Sequence, residues 1–192
     1  MITELHTTRL NLSQMKASDS TELFQVWSDP EVARFMNISP FSDEKQALEM
    51  IQLLADLAKE NQAIRFSIIE KESGRIIGSC GYNYLDGEQA RAEIGYDLAK
   101  AYWGRGYAME AVSALLTHGF SSLKLNRIEA KVDPRNMSSI KLLEKLDFTR
   151  EGTLRGYERV GSGAEPGSMD TFNDLYMYSK LASDLIRKRV EV

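Results

Sequence analysis

Two closely spaced glycines form the pattern in this sequence that most directly implies chemistry. Gly104 and Gly106 lie in the segment 102–108, which reads Tyr-Trp-Gly-Arg-Gly-Tyr-Ala, between a strand-like stretch and an amphipathic helix. Glycine lets a ligand approach the backbone because it has no Cβ, and the first N–H groups of a helix, together with its dipole, favour an anion. The spacing therefore predicts that this turn binds a phosphate or pyrophosphate.

Two common phosphate-binding motifs do not match this turn. A dinucleotide fingerprint requires a third glycine or alanine three residues after the second, and Met109 occupies that position. A P-loop ends in Gly-Lys-Ser/Thr, whereas Tyr107 and Ala108 follow Gly106 and supply neither the lysine nor the magnesium-binding hydroxyl. Taken alone, the turn predicts only an anion site at the start of a helix.

The elements around the turn follow from hydrophobic periodicity. A strand is predicted at 92–98, and the helix after the turn has an apolar face formed by Ala111, Leu115, Gly119 and Leu123. A half-buried strand at 127–133 ends at Pro134, and Asn136 or Ser138 caps the next helix. This order predicts one parallel crossover around the glycine turn.

The rest of the chain mixes strands and helices. Further strands are predicted from Leu10 onward and at 64–68, 76–84, 149–160 and 172–181. Further helices are predicted at 18–27, at Pro30 with Asp29 as its cap, and from Ser42 to Leu57, and 161–168 reads as a surface loop. The order predicts an α+β fold with a mostly antiparallel sheet, in a single domain covering residues 1–192.

Composition limits the class of protein. A chain of 192 residues with 43% hydrophobic and 27% charged residues is typical of a globular domain. No apolar run approaches the ~20 residues that cross a bilayer, and no signal peptide is evident, so a cytoplasmic protein without a membrane partner is expected. The net charge of −4 disfavours direct nucleic-acid binding. His6, His118 and Cys80 form no ligand pattern, so no metal is expected.

Two further segments supply a family resemblance. With 136–139 (Asn-Met-Ser-Ser) and 145–148 (Lys-Leu-Asp-Phe) after the glycine turn, the sequence resembles the GNAT family of acetyl-CoA-dependent N-acetyltransferases. The sequence also resembles the branch that includes the ribosomal-protein N-terminal acetyltransferases (RimJ/RimL-like). The segments that carry this resemblance are 8–10, 29–32, 94–96, 102–104 and 151–155. The resemblance implies a GNAT fold, with a mixed and mostly antiparallel sheet flanked by helices on both faces, and acetyl-CoA as co-substrate without a metal.

The sequence departs from the family pattern at two positions. Trp103 stands where many members have glutamine or arginine, although an aromatic residue is common in this branch. Asp147 replaces the usual glycine after the helix. Aspartate tolerates the left-handed conformation that a helix end often needs, so the same fold is expected.

Acetyl transfer to an amine requires a neutral nucleophile and a proton for the departing thiolate. An α-amino group has a pKa of about 8, so a base must remove its proton directly or through water. Glu93 is the candidate base because it lies on the strand entering the cofactor site and shares a face with Asp97, which is the alternative base. The resemblance makes Ser139 the candidate acid. The tyrosine acid of other members would fall at Leu143, which excludes it here.

Each of these residues also has a purely structural interpretation. Glu93 would then be a salt-bridged strand residue, and Ser139 a hydroxyl that satisfies helix-start N–H groups. The resemblance gives Asn136 an amide contact to the pantetheine arm, with a simple N-cap as the alternative. The resemblance also implies that the backbone of Leu98 pairs with the cofactor.

The glycine turn is assigned to the pyrophosphate of the cofactor. Binding is expected mostly through main-chain N–H groups, with the Arg105 charge in addition, and the residues are Gly104, Arg105, Gly106, Tyr107 and Ala108. Aromatic residues either line an acceptor cleft or belong to the core, namely Trp27, Phe35, Phe41, Tyr82 and Tyr84.

The acceptor is less constrained than the cofactor. By resemblance, the N-terminal α-amine of a ribosomal or other protein comes first, and it requires an open groove. A small amine such as a polyamine, amino sugar or amino acid comes second and favours a closed, acidic pocket. A hypothesis from another class is an acyl-CoA-binding sensor without turnover. Related enzymes are monomers or homodimers, so both states stay open.

Overall fold

One eight-stranded sheet runs through the part of the chain that the computed structural model describes, residues 3–160 and 171–185. Its strands are β1 (Glu4–His6), β2 (Leu10–Gln14), β3 (Ile64–Glu70), β4 (Ile76–Asp86), β5 (Arg91–Leu98), β6 (Arg127–Val132), β7 (Thr149–Val160) and β8 (Thr171–Leu181). The α-helices are α1 (Ser20–Trp27), α2 (Pro30–Ala33), α3 (Glu44–Lys59), α4 (Tyr107–Ser121) and α5 (Met137–Lys145). The predicted loop 161–168 lies outside the described residues.

The sheet has the order β1-β2-β3-β4-β5-β6-β8-β7. All neighbouring strands are antiparallel except β5 and β6, which run parallel because α4 connects them. The predicted mixed, mostly antiparallel sheet with one parallel crossover is confirmed.

Strands β5 and β6 separate after a short paired stretch. They pair only from Arg91 with Arg127 to Glu93 with Glu129. β5 continues beside β4 as far as Leu98, whereas β6 stays paired with β8 as far as Val132. The main chain of residues 94–98 therefore has no strand partner on the β6 side. Backbone N–H and C=O groups need hydrogen-bond partners, so this gap is a natural place for a ligand with amide groups.

Helices cover both faces of the sheet, as predicted. On one face α1 and α3 form a cluster that includes Leu23, Trp27 and Ile51. The other face is covered by α4 and α5 over the larger core, where Gly119 allows close packing because an added Cβ would lie 2.8 Å from the Ile128 side chain. Leu143 is fully buried in that core.

Helix ends follow the predicted caps with one exception. The Asp29 side chain accepts a hydrogen bond from the Glu31 N–H at 2.9 Å at the start of α2. For α3 the prediction of Ser42 is wrong by one residue, because the Asp43 side chain accepts from the N–H three residues later and forms the N-cap. Asp147 adopts φ +60°, the expected left-handed conformation after α5.

No helix among the described residues is long and apolar enough to span a membrane.

Candidate active site

The glycine turn has the backbone geometry of an anion site. Gly104 and Gly106 adopt φ +70° and +81°, which side-chain-bearing residues rarely adopt, and Gly106 is the N-cap of α4. A Cβ added to Gly104 would meet no atom within 4 Å, so the outer side of the turn is open. The first N–H groups of α4 have no acceptor within the helix and are directed into the turn.

Arg9 stabilises this turn. Its guanidinium donates to the carbonyl of Arg105 at 3.0 Å and to the Glu110 carboxylate at 2.7 Å, and it lies 4.4 Å from the ring centre of Tyr107. Thr7 also donates to Glu110, at 2.6 Å. Burial alone would raise the pKa of Glu110, but these hydrogen bonds outweigh it and lower the pKa. The carboxylate is therefore charged and holds β2, α4 and the turn together.

The side chain of Tyr107 faces the protein interior. Its hydroxyl donates to the Glu70 carboxylate, which also accepts from Ser73 at 2.7 Å. The hydrogen bond from Tyr107 lowers the pKa of Glu70. Only the main chain of Tyr107 is left to face a ligand, which agrees with the expected main-chain mode of binding.

A cavity of about 440 Å³ lies beside the turn, and we call it the cofactor-side cavity. Gly104, Gly106 and the main chain around Ala108 line it, together with the end of β5 and the start of α5. Arg105 does not line it, since its guanidinium lies over the Tyr102 ring at 5.7 Å. The cations that line this cavity are instead Lys141 and Lys145 of α5, which the sequence reading missed.

Trp103 fixes the end of β5 to the turn. Its indole N–H donates to the Leu98 carbonyl at 2.7 Å, and both residues line the cofactor-side cavity. A carbonyl oxygen has two lone pairs, so Leu98 keeps one for a ligand. The hydrogen bond gives a structural reason for an aromatic N–H donor at position 103.

Two hydroxyl groups meet at the start of α5. The oxygens of Ser139 and Tyr96 lie 2.6 Å apart. Asn136 caps the helix through Oδ1, which accepts from the Ser139 N–H at 3.1 Å, so its side-chain NH₂ remains for a ligand. Burial raises the pKa of Tyr96 to about 12, so the phenol is protonated at neutral pH. Sequence reasoning missed Tyr96, because the family pattern placed the tyrosine on the helix and not on β5.

A second cavity, of about 500 Å³, meets the first at these residues, and we call it the acceptor-side cavity. Tyr96, Asn136 and Ser139 line both cavities. Trp27, Phe35 and Phe41 line the second cavity, as predicted for an acceptor cleft. Tyr82 is fully buried in the core, which was the alternative prediction, whereas Tyr84 is exposed outside the cavity, so neither prediction holds for it.

Glu93 lies in the acceptor-side cavity, as an ion pair. Its Oε2 is 2.6 Å from Nζ of Lys131, which also lies 4.8 Å from the ring centre of Tyr157. Burial favours neutral Lys131, but Glu93 outweighs that effect and raises the lysine pKa. Glu93 therefore shares its carboxylate with a charged ammonium group.

Asp97, the alternative base, is a buried anchor in this structure. Its carboxylate pairs with Arg65 at 2.7 Å, and it accepts from the Trp27 indole at 3.2 Å and from the Ser79 N–H and hydroxyl. Its side chain is 2% exposed. These partners join α1, β3, β4 and β5, and they leave no free face for an amine.

Glu158 is the carboxylate in this cavity that has no partner in the described part of the chain. It lies on β7, lines the acceptor-side cavity, and forms no hydrogen bond or ion pair with the described residues. Burial raises its pKa, and the nearby charge of Asp133 raises it further. Asp133 itself pairs with Arg135, at 2.9 Å between Oδ1 and Nε. Sequence reasoning missed Glu158, which reads there as an ordinary strand residue.

The comparison with known families decides the identity. A model of the acetyltransferase (GNAT) domain matches residues 9–149. This chain belongs to the GNAT acetyltransferase family. The GNAT fold expected from the sequence is thereby confirmed, and so is an enzyme of the N-acetyltransferase class.

Relatives of this GNAT enzyme match over nearly its whole length. The "Uncharacterized N-acetyltransferase p20" of Bacillus licheniformis is 52% identical over 177 residues, which cover 92% of this chain and 95% of the relative. The solved structure of RimL, a ribosomal L7/L12 alpha-N-protein acetyltransferase, superposes with a TM-score of 0.82 at 20% identity, covering 94% of this chain and 95% of RimL.

A second solved GNAT structure contains ligands. It is the microcin C7 self-immunity acetyltransferase MccE in complex with acetyl-CoA and AMP, with a TM-score of 0.75 and 20% identity, covering 91% of this chain and 93% of MccE. The GNAT family uses acetyl-CoA. In the part of this GNAT enzyme that the structure describes, no three His, Cys, Asp or Glu side chains group as metal ligands do.

Proposed function

We propose that this enzyme transfers the acetyl group of acetyl-CoA to the N-terminal α-amine of a protein. One observation carries the proposal: the cavity beside the glycine turn meets the acceptor-side cavity at the hydrogen-bonded hydroxyls of Tyr96 and Ser139, and the carboxylate of Glu158 in that second cavity has no partner among the described residues. The likeness to RimL, an alpha-N-protein acetyltransferase of ribosomal L7/L12, supports this choice of acceptor.

The chain offers matching groups for each part of acetyl-CoA. The N–H groups of 104–108 suit the pyrophosphate, with Lys141 and Lys145 as the nearby cations. The unpaired main chain of 94–98 suits the amides of pantetheine, as does the free side-chain NH₂ of Asn136. The thioester then lies where the two cavities meet.

The reaction is a direct transfer without a covalent enzyme intermediate. The amine nitrogen attacks the thioester carbonyl carbon, a C–N bond forms, and the C–S bond breaks. The proton lost by the amine goes to a carboxylate, and the departing thiolate takes a proton from Ser139, which Tyr96 can replenish through their hydrogen bond.

Two carboxylates compete for the role of base. Glu93 is the residue that the sequence favours, but Lys131 already neutralises it at 2.6 Å. Glu158 has no such partner, and its raised pKa lies closer to the operating pH, which improves proton transfer. We therefore propose Glu158 as the base and Glu93 as a residue that sets the charge of the cavity wall.

The rim of the acceptor-side cavity favours a protein N-terminus over a small amine. One side of the rim is formed by the segment 34–41 between α2 and α3, and the other by β7. Tyr157 on that strand is 51% exposed, so the cavity reaches the surface. A chain can enter such an opening and leave its remaining residues outside.

An acceptor screen tests the proposal. CoA release from acetyl-CoA is measured with a panel of peptides that carry N-terminal sequences of ribosomal proteins, and with a polyamine, an amino sugar and free amino acids. Mass spectrometry then locates the added acetyl group. Acetylated peptide α-amines are the expected result. Turnover of the small amines alone would replace the acceptor, and tight acetyl-CoA binding without any turnover would indicate a sensor.

A further inference from the structure

The charges that line the acceptor-side cavity are almost all paired. Seven charged side chains line it: Arg34, Arg65, Glu93, Asp97, Lys131, Asp133 and Glu158. Arg65 pairs with Asp97 and Lys131 with Glu93, and Asp133 pairs with Arg135 at the edge of the cavity. Within residues 3–160 and 171–185, Arg34 and Glu158 form no ion pair.

Arg34 lines the acceptor-side cavity and is exposed to solvent. Its guanidinium lies 5.1 Å from the ring centre of Phe35, and Phe35 lines both cavities. The charge of Arg34 acts on Asp133, whose own charge acts on Glu158. Arg34 and Glu158 therefore line the same cavity as Asp133, which Arg135 already neutralises, and neither has a charged partner among the described residues.

This arrangement defines the charge of a matching acceptor, given the α-amine acetyltransferase proposed above. We propose that the acceptor carries an anionic group near its reactive amine, that Arg34 binds this anion, and that Glu158 receives the amine. A guanidinium is suited to a carboxylate because its N–H groups donate in a planar fork. The same charge repels acceptors with additional cationic groups, so it also selects against them.

The chemistry fits an N-terminus with an acidic residue directly after the reactive amine. A free acidic amino acid offers the same pair of groups, so the test includes both sources. Polyamines and peptides with a lysine at the second position are the disfavoured acceptors.

The test compares peptides that differ only at the second residue, which is aspartate, asparagine or lysine, together with free glutamate. For the wild type we expect kcat/KM to be roughly fivefold higher for the aspartate peptide than for the lysine peptide, the size of a partly exposed ion pair. Arg34→Gln should remove this preference and Arg34→Glu should reverse it. The KM for acetyl-CoA should not change.

Arg75→Gln is the matched control. Arg75 is an exposed arginine that lines neither cavity, so its variant should keep the preference of the wild type. Equal kcat/KM for the three peptides, or an unchanged preference in Arg34→Glu, would overturn the inference while leaving the acetyltransferase proposal intact. Preference for free glutamate over all peptides would keep the role of Arg34 and replace the protein acceptor. No turnover of any acceptor would overturn both proposals.

Discussion

The two cavities differ in how their polar groups are satisfied. Behind the cofactor-side cavity, Arg9, Glu110, Tyr107 and Glu70 are bonded to one another or to the main chain of the turn. In the acceptor-side cavity, the structure leaves Arg34 and Glu158 without a charged partner among the described residues. On the cofactor side, contacts within the chain hold the turn in place, whereas the acceptor side has two opposite charges without a charged partner among the described residues. If the acceptor supplies partners for these charges, as proposed above, they determine which amines the enzyme accepts.

The largest effect is expected from a substitution in the acceptor-side cavity. Glu158→Gln removes the proposed base, so kcat should fall by roughly 100-fold or more, while the affinity for acetyl-CoA stays the same. Because a base works only when deprotonated and the pKa of Glu158 is raised, wild-type kcat/KM should fall as pH drops through a value above the ordinary 4.5. The variant should lack this limb and keep only the fall below pH about 8 that protonation of the free acceptor amine causes in both enzymes. The measurement is a pH profile of CoA release.

Glu93→Gln is the matched control for this experiment. It leaves Lys131 unpaired and should lower the rate less, with the acidic limb retained. The opposite ranking of the two variants would assign the base to Glu93.

The second-largest effect is expected from a substitution beside the cofactor-side cavity. Gly104→Val places a β-branched side chain at φ +70° on the open side of the turn, where the pyrophosphate would lie. The strain costs about 1–3 kcal/mol, and the obstruction should weaken CoA binding by more than roughly tenfold, as measured by calorimetry. Gly74→Val is the control, because Gly74 has φ +69° and equally open surroundings but lines neither cavity. Equal CoA affinity in both variants would remove the turn from the binding site.

The smallest of the three effects is expected from a substitution of Arg9, which stabilises the glycine turn. Arg9→Gln removes the donor to the Arg105 carbonyl and the partner of Glu110, so the turn should be held less firmly. One lost hydrogen bond between charged groups costs about 1.5 kcal/mol, and the KM for acetyl-CoA should rise roughly tenfold. At saturating acetyl-CoA the kcat should be normal, and Arg9→Lys should recover part of the loss. A fall in kcat with unchanged KM would show that Arg9 acts elsewhere.

The same division separates what the sequence could predict from what it could not. The glycine turn, the cap at Asn136 and the parallel crossover follow from local patterns, because each is fixed by residues a few positions apart. Strand alternation correctly placed Glu93 and Asp97 on the same cavity wall. It could not show that Lys131 and Arg65, which are 38 and 32 residues away, would neutralise them.

For a related reason, the sequence could not predict roles for Glu158 and Arg34. Their proposed roles depend on the lack of a charged partner among the described residues, and that property appears only when the neighbouring side chains have been positioned. Arg105 illustrates the converse case. Its place in the motif suggested a phosphate contact, yet its side chain lies over Tyr102 while the lysines of α5 line the cavity.

The separation of β5 and β6 has a kinetic consequence. The two cavities meet where the strands part. With acetyl-CoA and the acceptor placed as proposed above, both substrates would be bound together, and no product would need to leave before the second substrate arrives. Initial-rate plots at several fixed acceptor concentrations should therefore intersect, as expected for a ternary complex, and not run parallel as in a double-displacement enzyme. The break in strand pairing would thus allow a ternary complex of enzyme, acetyl-CoA and acceptor.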